Sequence, residues 1–217
     1  MKELEIYFPI GQSFWEETTS AAQVKTFLDE SGGEDIVVRV NSPGGDVFEG
    51  FAIFNLFKQY SGKVLMEIDG MAASAASVVA MAGDTINMGI GSMLMIHDPW
   101  TVVLGNSNDM KATADLLDSI RDGIIDTYLS KNTKQDVISL STMMSDETWF
   151  SAKEAVAAGF ADTTSLKDEA GVEASSTLAF NVSYPWINNA PKPEDVPEET
   201  QAAWRIAHNK RRLAMIE

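Results

Sequence analysis

Two apolar, β-branched runs, Val37–Val40 and Lys63–Ile68, each end in a turn marked by glycine and each lead into a helical pattern. This repeated strand–turn–helix unit restricts the fold more than any other feature of the chain. The first run passes through Asn41-Ser42-Pro43-Gly44-Gly45-Asp46 into a helix predicted over Val47–Tyr60. The second is expected to end at Gly70 and to pass through Met71-Ala72-Ala73 into an Ala-rich helix over Ser74–Ala82. Strand-like runs recur at Glu5–Ile10, Ile36–Val40, Val64–Ile68, Thr85–Met88 and Leu94–Ile96, and helical patterns at Ser20–Glu30 and Ser107–Ser130. Short strands alternating with helices imply βα units around a largely parallel sheet, an α/β fold. Stacked units of this kind bring the ends of successive strands together, so Gly45 and Ser74 are expected to share one site. The longest helix, 107–130, carries Met110, Ala114, Leu117, Ile120, Ile124 and Ile125 at spacings of three and four, an apolar stripe.

The residues at these turns point to a chemistry. Ser74 is expected at a strand-to-helix turn, where backbone N–H groups are unpaired and the helix dipole is positive, an environment suited to a developing oxyanion. A hydroxyl needs a base, and His97, in Met95-Ile96-His97-Asp98-Pro99, is the histidine in the body of the chain. An imidazole with an ordinary pKa near ~6.5 can take a proton at neutral pH and return it to a leaving group. Gly44 and Gly45 permit positive φ and close approach of backbone to a ligand. The competing reading is packing, since small residues in an Ala-rich helix and Pro-Gly βα turns also serve close contact. The coincidence of two glycine-marked turns, one holding serine, favours the chemical reading.

Composition removes several alternatives. The 217 residues include no cysteine, which excludes a thiol nucleophile, disulfides and Cys-based metal sites. The two histidines, His97 and His208, have no chelating spacing, so no metal or other cofactor is expected. A net charge of −16 argues against nucleic-acid binding. With no apolar N-terminal signal and no membrane-length hydrophobic run, a cytoplasmic location off the membrane is expected.

Four ordered motifs, Asn41-Ser42-Pro43-Gly44-Gly45, Gly70-Met71-Ala72-Ala73-Ser74, Met95-Ile96-His97 and Phe150-Ser151-Ala152 through Gly159-Phe160-Ala161-Asp162, resemble the ClpP serine peptidases (family S14) over about Glu5–Asp162. Through Ile6-Tyr7-Phe8-Pro9-Ile10-Gly11, His97-Asp98-Pro99-Trp100 and Glu147-Thr148-Trp149-Phe150 the chain is more narrowly similar to ClpP-like proteases of tailed phages and prophages. The resemblance implies a ClpP/crotonase-like fold of repeated ββα spiral units with a protruding long helix. It implies Ser74 as nucleophile, His97 as general base, and the amides of Gly45 and Ala75 as the oxyanion hole. For the third triad member, alignment on Phe150-Ser151-Ala152 favours Glu147, whereas counting from His97 without gaps favours Asp146; either carboxylate suits the role. The resemblance further implies a homo-oligomer, a heptameric ring or double ring, acting on protein substrates. The few residues before the first strand suggest an ATPase-independent enzyme that trims scaffold or capsid precursors in the phage prohead. The alternatives are a housekeeping-type subunit working with an ATPase, a crotonase-like acyl-CoA enzyme, and a non-catalytic capsid-assembly component.

The predicted organisation is a protease domain over 1–163, a Pro-containing linker over 164–197 and a C-terminal helix over 198–217, a candidate docking arm. Pro185, Pro191, Pro193 and Pro197 punctuate the linker, and Lys210-Arg211-Arg212 near the chain end matches the helix macrodipole.

Overall fold

The computed structural model describes residues 1–12, 17–131 and 133–165. The elements run β1 (Lys2–Ile6), α1 (Ala21–Ser31), β2 (Ile36–Ser42), α2 (Val47–Gln59), β3 (Val64–Ala73), α3 (Ala75–Ala80), β4 (Thr85–Met88), β5 (Met93–Ile96), α4 (Ser107–Ser130), α5 (Val137–Ser145), β6 (Thr148–Ser151), α6 (Ala152–Ala158) and β7 (Thr163–Thr164). The strands order as β1-β2-β3-β4-β7, all parallel; β5 pairs parallel with β3, and β6 closes against β5 antiparallel. This is an α/β architecture on a mostly parallel sheet. The predicted linker beyond Ser165 and the C-terminal helix lie outside the described residues. Among those described, no helix is long and apolar enough to cross a membrane.

The strands form where alternate residues can be buried. In β2, Ile36, Val38, Val40 and Ser42 face inward while Val37, Arg39 and Asn41 are half-buried, the period-two pattern of a pleated strand covered on one face. Met66 and Ile68 of β3, Ile86 and Met88 of β4 and Leu94 and Ile96 of β5 continue the same core. Burying a side chain of this size contributes about 1.5–3 kcal/mol, and α2 and α3 supply the covering layer through Ile53, Phe57, Val78 and Val79.

One expectation needs correction. The run that begins at Val64 does not stop at Gly70 but continues to Ala73. The pairing of β2 with β3 is Val40 with Ile68, then Ser42 with Ala72, so β3 carries two extra residues in a bulge. Gly70 permits this because a Cβ there would meet the Asn41 side-chain oxygen at 2.5 Å. The bulge divides β3 between two neighbours. Leu65–Ile68 pair with Thr85–Met88 of β4, whereas Met71–Ala73 pair with Met93–Met95 of β5. The first strand is also displaced: β1 covers Lys2–Ile6, and Ile10 makes only isolated bridges, to Thr19 and Gly45.

The long helix matches its predicted range, but its stripe is divided. Ile120, Ile124 and Ile125 are buried, Leu117 is half-buried, and Met110 and Ala114 are exposed. The segment leading into it leaves Trp100, Val102 and Leu104 exposed as well.

Candidate active site

The parallel pairing of β3 with β5 sets the first distance. Ala73 lies opposite Met95, and the Ser74 amide donates to the Met95 carbonyl at 3.0 Å. Both strands therefore end together, with Ser74 and His97 just beyond their last residues. The Ser74 hydroxyl lies 2.8 Å from Nε2 of His97, hydrogen-bond distance for proton transfer.

Ser74 occupies φ 55°, ψ −128°, a conformation that costs a non-glycine residue about 1–3 kcal/mol. Its surroundings hold it there. The Ser74 carbonyl accepts from the Ser77 amide at 2.9 Å and from the Ser77 hydroxyl at 2.6 Å. All six residues of α3 are buried. Gly44 lies against the same turn: a Cβ there would meet the Ala73 carbonyl oxygen at 2.5 Å, Ser74 Cβ at 2.7 Å and the Ala75 nitrogen at 2.8 Å. Only glycine lets the two turns approach this closely.

The glycine turn and the start of α3 also border the cavity at Ser74. Ile10 donates to the Gly44 carbonyl at 2.8 Å and accepts from the Asp46 amide at 2.9 Å, while the Gly44 amide donates to the Ser42 hydroxyl oxygen. These bonds consume the donors on either side of Gly45. Among the described residues, the amides of Gly45 and Ala75 have no acceptor, and both residues line the cavity that Ser74 and His97 face. Asp46 caps α2 by accepting from the amides of Phe48 and Glu49, which fixes the exit of the glycine turn.

The cavity measures about 650 Å³ and is mainly apolar, walled by Val78, Met95, Leu117, Ile120, Ile124 and Tyr128. Among the described residues no group of three or more His, Asp or Glu is placed to hold a metal.

His97 is partly buried, and burial lowers its pKa from the usual 6.5; Glu147, then Asp98, oppose this by their charge. The imidazole is thus neutral at pH 7, with Nε2 able to accept the Ser74 proton. Glu147 and Asp146 differ in what they offer. Glu147 adopts φ 48° at the junction of α5 and β6, and its carboxylate accepts from the Trp149 indole at 3.3 Å. Asp146 is the C-cap of α5, and it is not among the charges acting on the imidazole. Among the described residues, neither carboxylate hydrogen-bonds His97.

Three groups that the sequence reading assigned no role adjoin this pair. Asp98 carries charge beside the imidazole. Arg121 of α4 forms an ion pair with Asp98, Nε to Oδ1 at 2.9 Å. Tyr128, two turns further along α4, meets the Ser77 hydroxyl at 2.8 Å. Asp98 stood in plain view in the His97-Asp98-Pro99-Trp100 motif; the two α4 residues looked like parts of an ordinary amphipathic helix.

Residues 7–167 match the Clp protease family. The chain belongs to that family, whose members are serine-type peptidases. Among its curated relatives, ATP-dependent Clp protease proteolytic subunit 1 of Protochlamydia amoebophila is 30% identical over 134 residues, 60% of this chain and 65% of the relative. The ATP-dependent Clp protease proteolytic subunit of Ligilactobacillus salivarius is 32% identical over 139 residues, 63% of this chain and 70% of the relative. Its counterpart in Bacteroides thetaiotaomicron is 29% identical over 151 residues, 69% and 68% respectively. The chain thus spans about two thirds of the length of these Clp subunits. The fold is that of a solved Clp structure, an asparagine-to-aspartate variant of ClpP1 from Listeria monocytogenes: TM-score 0.65 at 22% identity, covering 75% of this chain and 90% of that one.

Proposed function

We propose that this Clp-family chain is a serine endopeptidase in which Ser74 is the nucleophile, His97 the general base, and the amides of Gly45 and Ala75 the oxyanion hole. One observation carries the reading: the 2.8 Å approach of the Ser74 hydroxyl to His97 Nε2, in a cavity also lined by Gly45 and Ala75, whose amides have no acceptor among the described residues. In this mechanism His97 takes the Ser74 proton as the oxygen attacks the scissile carbonyl. The oxyanion that forms accepts from Gly45 and Ala75, and His97 then protonates the departing amine. Water, deprotonated by the same imidazole, releases the acyl group and restores the serine. Glu147 is the third member in this reading: its charge acts on the imidazole, its backbone is held at positive φ, and Asp146 contributes no comparable influence.

The test is direct. A fluorophosphonate probe labels the wild-type protein and leaves Ser74→Ala unlabelled, and an unstructured protein substrate is cleaved only by the former. Absence of labelling, with the fold intact, would favour a crotonase-like or non-catalytic role.

The names of the relatives, proteolytic subunits of ATP-dependent Clp proteases, favour a subunit that works with ATP over an ATPase-independent phage enzyme. The exposed apolar residues Trp100, Val102, Leu104 and Met110 support assembly with further copies. The phage head-maturation reading rests on the Ile6-Tyr7-Phe8-Pro9-Ile10-Gly11, His97-Asp98-Pro99-Trp100 and Glu147-Thr148-Trp149-Phe150 motifs. Processing of a co-expressed capsid precursor without any unfoldase would favour it; dependence of cleavage on an unfoldase and ATP would favour the subunit reading.

A further inference from the structure

The helix α4 touches both halves of the proposed dyad through polar chains that start two turns apart on one face. The spacing of seven residues puts Arg121 and Tyr128 on the same side of the helix. Tyr128 is almost wholly buried, packed edge-on to Phe160 with ring centroids 5.6 Å apart. Because the Ser77 hydroxyl donates to the Ser74 carbonyl, the Tyr128 hydroxyl is the donor in its 2.8 Å contact with Ser77. The chain therefore runs from Tyr128 to Ser77 to the carbonyl of the strained Ser74. Arg121 makes the second chain. It pairs with Asp98, whose carboxylate also accepts from Ser145 at 2.9 Å, and it donates to the Ser141 carbonyl at 2.9 Å. The Asp98 amide donates to the Met144 carbonyl at 3.0 Å. The residue that follows His97 is thus fastened to α4 and to α5 at once.

We propose that Arg121 and Tyr128 are positioning residues that make α4 a two-point clamp, Tyr128 holding the Ser74 turn through Ser77 and Arg121 holding His97 through Asp98. The inference rests on the peptidase reading above. Neither residue touches the reacting atoms; each acts through another group. The clamp also has an electrostatic side. The charges acting on the imidazole are Glu147, from the α5–β6 junction, and Asp98, on its own loop, with Arg121 of α4 behind Asp98. A cation paired with a carboxylate weakens that carboxylate's field on its other neighbours, so losing Arg121 is expected to strengthen the pull of Asp98 on His97, and losing Asp98 to remove it.

That opposition supplies the experiment. Steady-state peptidase kinetics over pH 4.5–8.5 are compared for wild type, Arg121→Gln, Arg121→Lys, Asp98→Asn, Tyr128→Phe and Ser74→Ala, with thermal unfolding of each. In Arg121→Gln the acid limb of kcat moves up in pH, because Asp98 is left unopposed. In Asp98→Asn the limb moves down, because a charge favouring the imidazolium is gone; Arg121→Lys lies near wild type. Tyr128→Phe leaves the limb in place but lowers kcat about tenfold with KM little changed, the signature of a misplaced nucleophile. A purely structural pair would shift Arg121→Gln and Asp98→Asn in the same direction or not at all, which overturns the His97 half of the clamp. Wild-type kcat in Tyr128→Phe overturns the Ser74 half. Should Arg121→Gln not fold, a downward limb in Asp98→Asn supports the clamp and an unmoved one overturns it. Retained activity in Ser74→Ala would sink the peptidase reading itself, a result distinct from loss of the clamp alone.

Discussion

The serine side and the histidine side of the site are built to different standards. Ser74 sits at the end of a strand paired on both edges, its amide and carbonyl are both hydrogen-bonded within the chain, and the helix that follows is buried throughout. His97 follows the last residue of the short strand β5 and opens a segment whose next residues rise to the surface, Trp100 being 74% exposed. Its ring is held by the serine it serves and by the field of two carboxylates, without a carboxylate hydrogen bond among the described residues. A serine held in a strained turn must be over-determined by its surroundings, because the strain would otherwise relax. An imidazole has no such strain to contain, and its orientation can be completed by weaker, longer-range interactions.

If the serine side is the rigid half, removing its hydroxyl gives the largest effect. Ser74→Ala is expected to lower peptide cleavage by about 10⁴-fold or more with an unchanged unfolding temperature, read by peptide turnover and calorimetry. His97→Ala follows at about 10³-fold or more; cleavage equal to wild type would leave the comparison without a base to compare. Gly45→Ala comes next. The added Cβ would collide with the Ile10 carbonyl oxygen at a residue with φ of 147°, so the donor must move, and a drop of about 10²-fold accompanied by lower thermal stability is expected. Glu147→Gln sharpens the histidine side: kcat is expected to fall about tenfold, whereas Asp146→Asn changes it less than about twofold. Equal losses in those two variants would dissolve the distinction between them. The smallest effect is on pH. Burial lowers the His97 pKa, so activity declines as pH falls through a value below 6.5, where the imidazole gains its proton and can no longer accept one. An acid limb centred above 6.5 would mean that the carboxylates, not burial, dominate.

The same asymmetry governs what the sequence reveals. The β2–α2 and β3–α3 units are legible because their signals are local: alternating apolar residues, then glycine, then a helical pattern. So is the placement of Ser74 and His97 at strand ends, because a parallel sheet gathers the ends of its strands. The continuation of β3 through Gly70 is not legible, since it depends on Asn41, 29 positions earlier, occupying the space a side chain would need. The choice between Glu147 and Asp146 is equally hidden. The proposed preference for Glu147 rests on one positive φ at the α5–β6 junction and on the antiparallel pairing of Thr148–Ser151 with Met93–Ile96, a contact across more than fifty residues. The division of the α4 stripe between covered and open halves depends on where the sheet layer ends, and periodicity carries no information about that.

The two-residue bulge in β3 has an evolutionary corollary. The Ser74 hydroxyl and the His97 ring are placed by counting rungs along adjacent strands, Ala73 beside Met95, rather than by the length of the chain that joins them. Insertions in the Gly89–Ser92 turn or in the 99–106 approach to α4 can therefore drift without altering the separation of alcohol and imidazole, while one residue gained or lost between Gly70 and Ala73 would slide the serine past its partner.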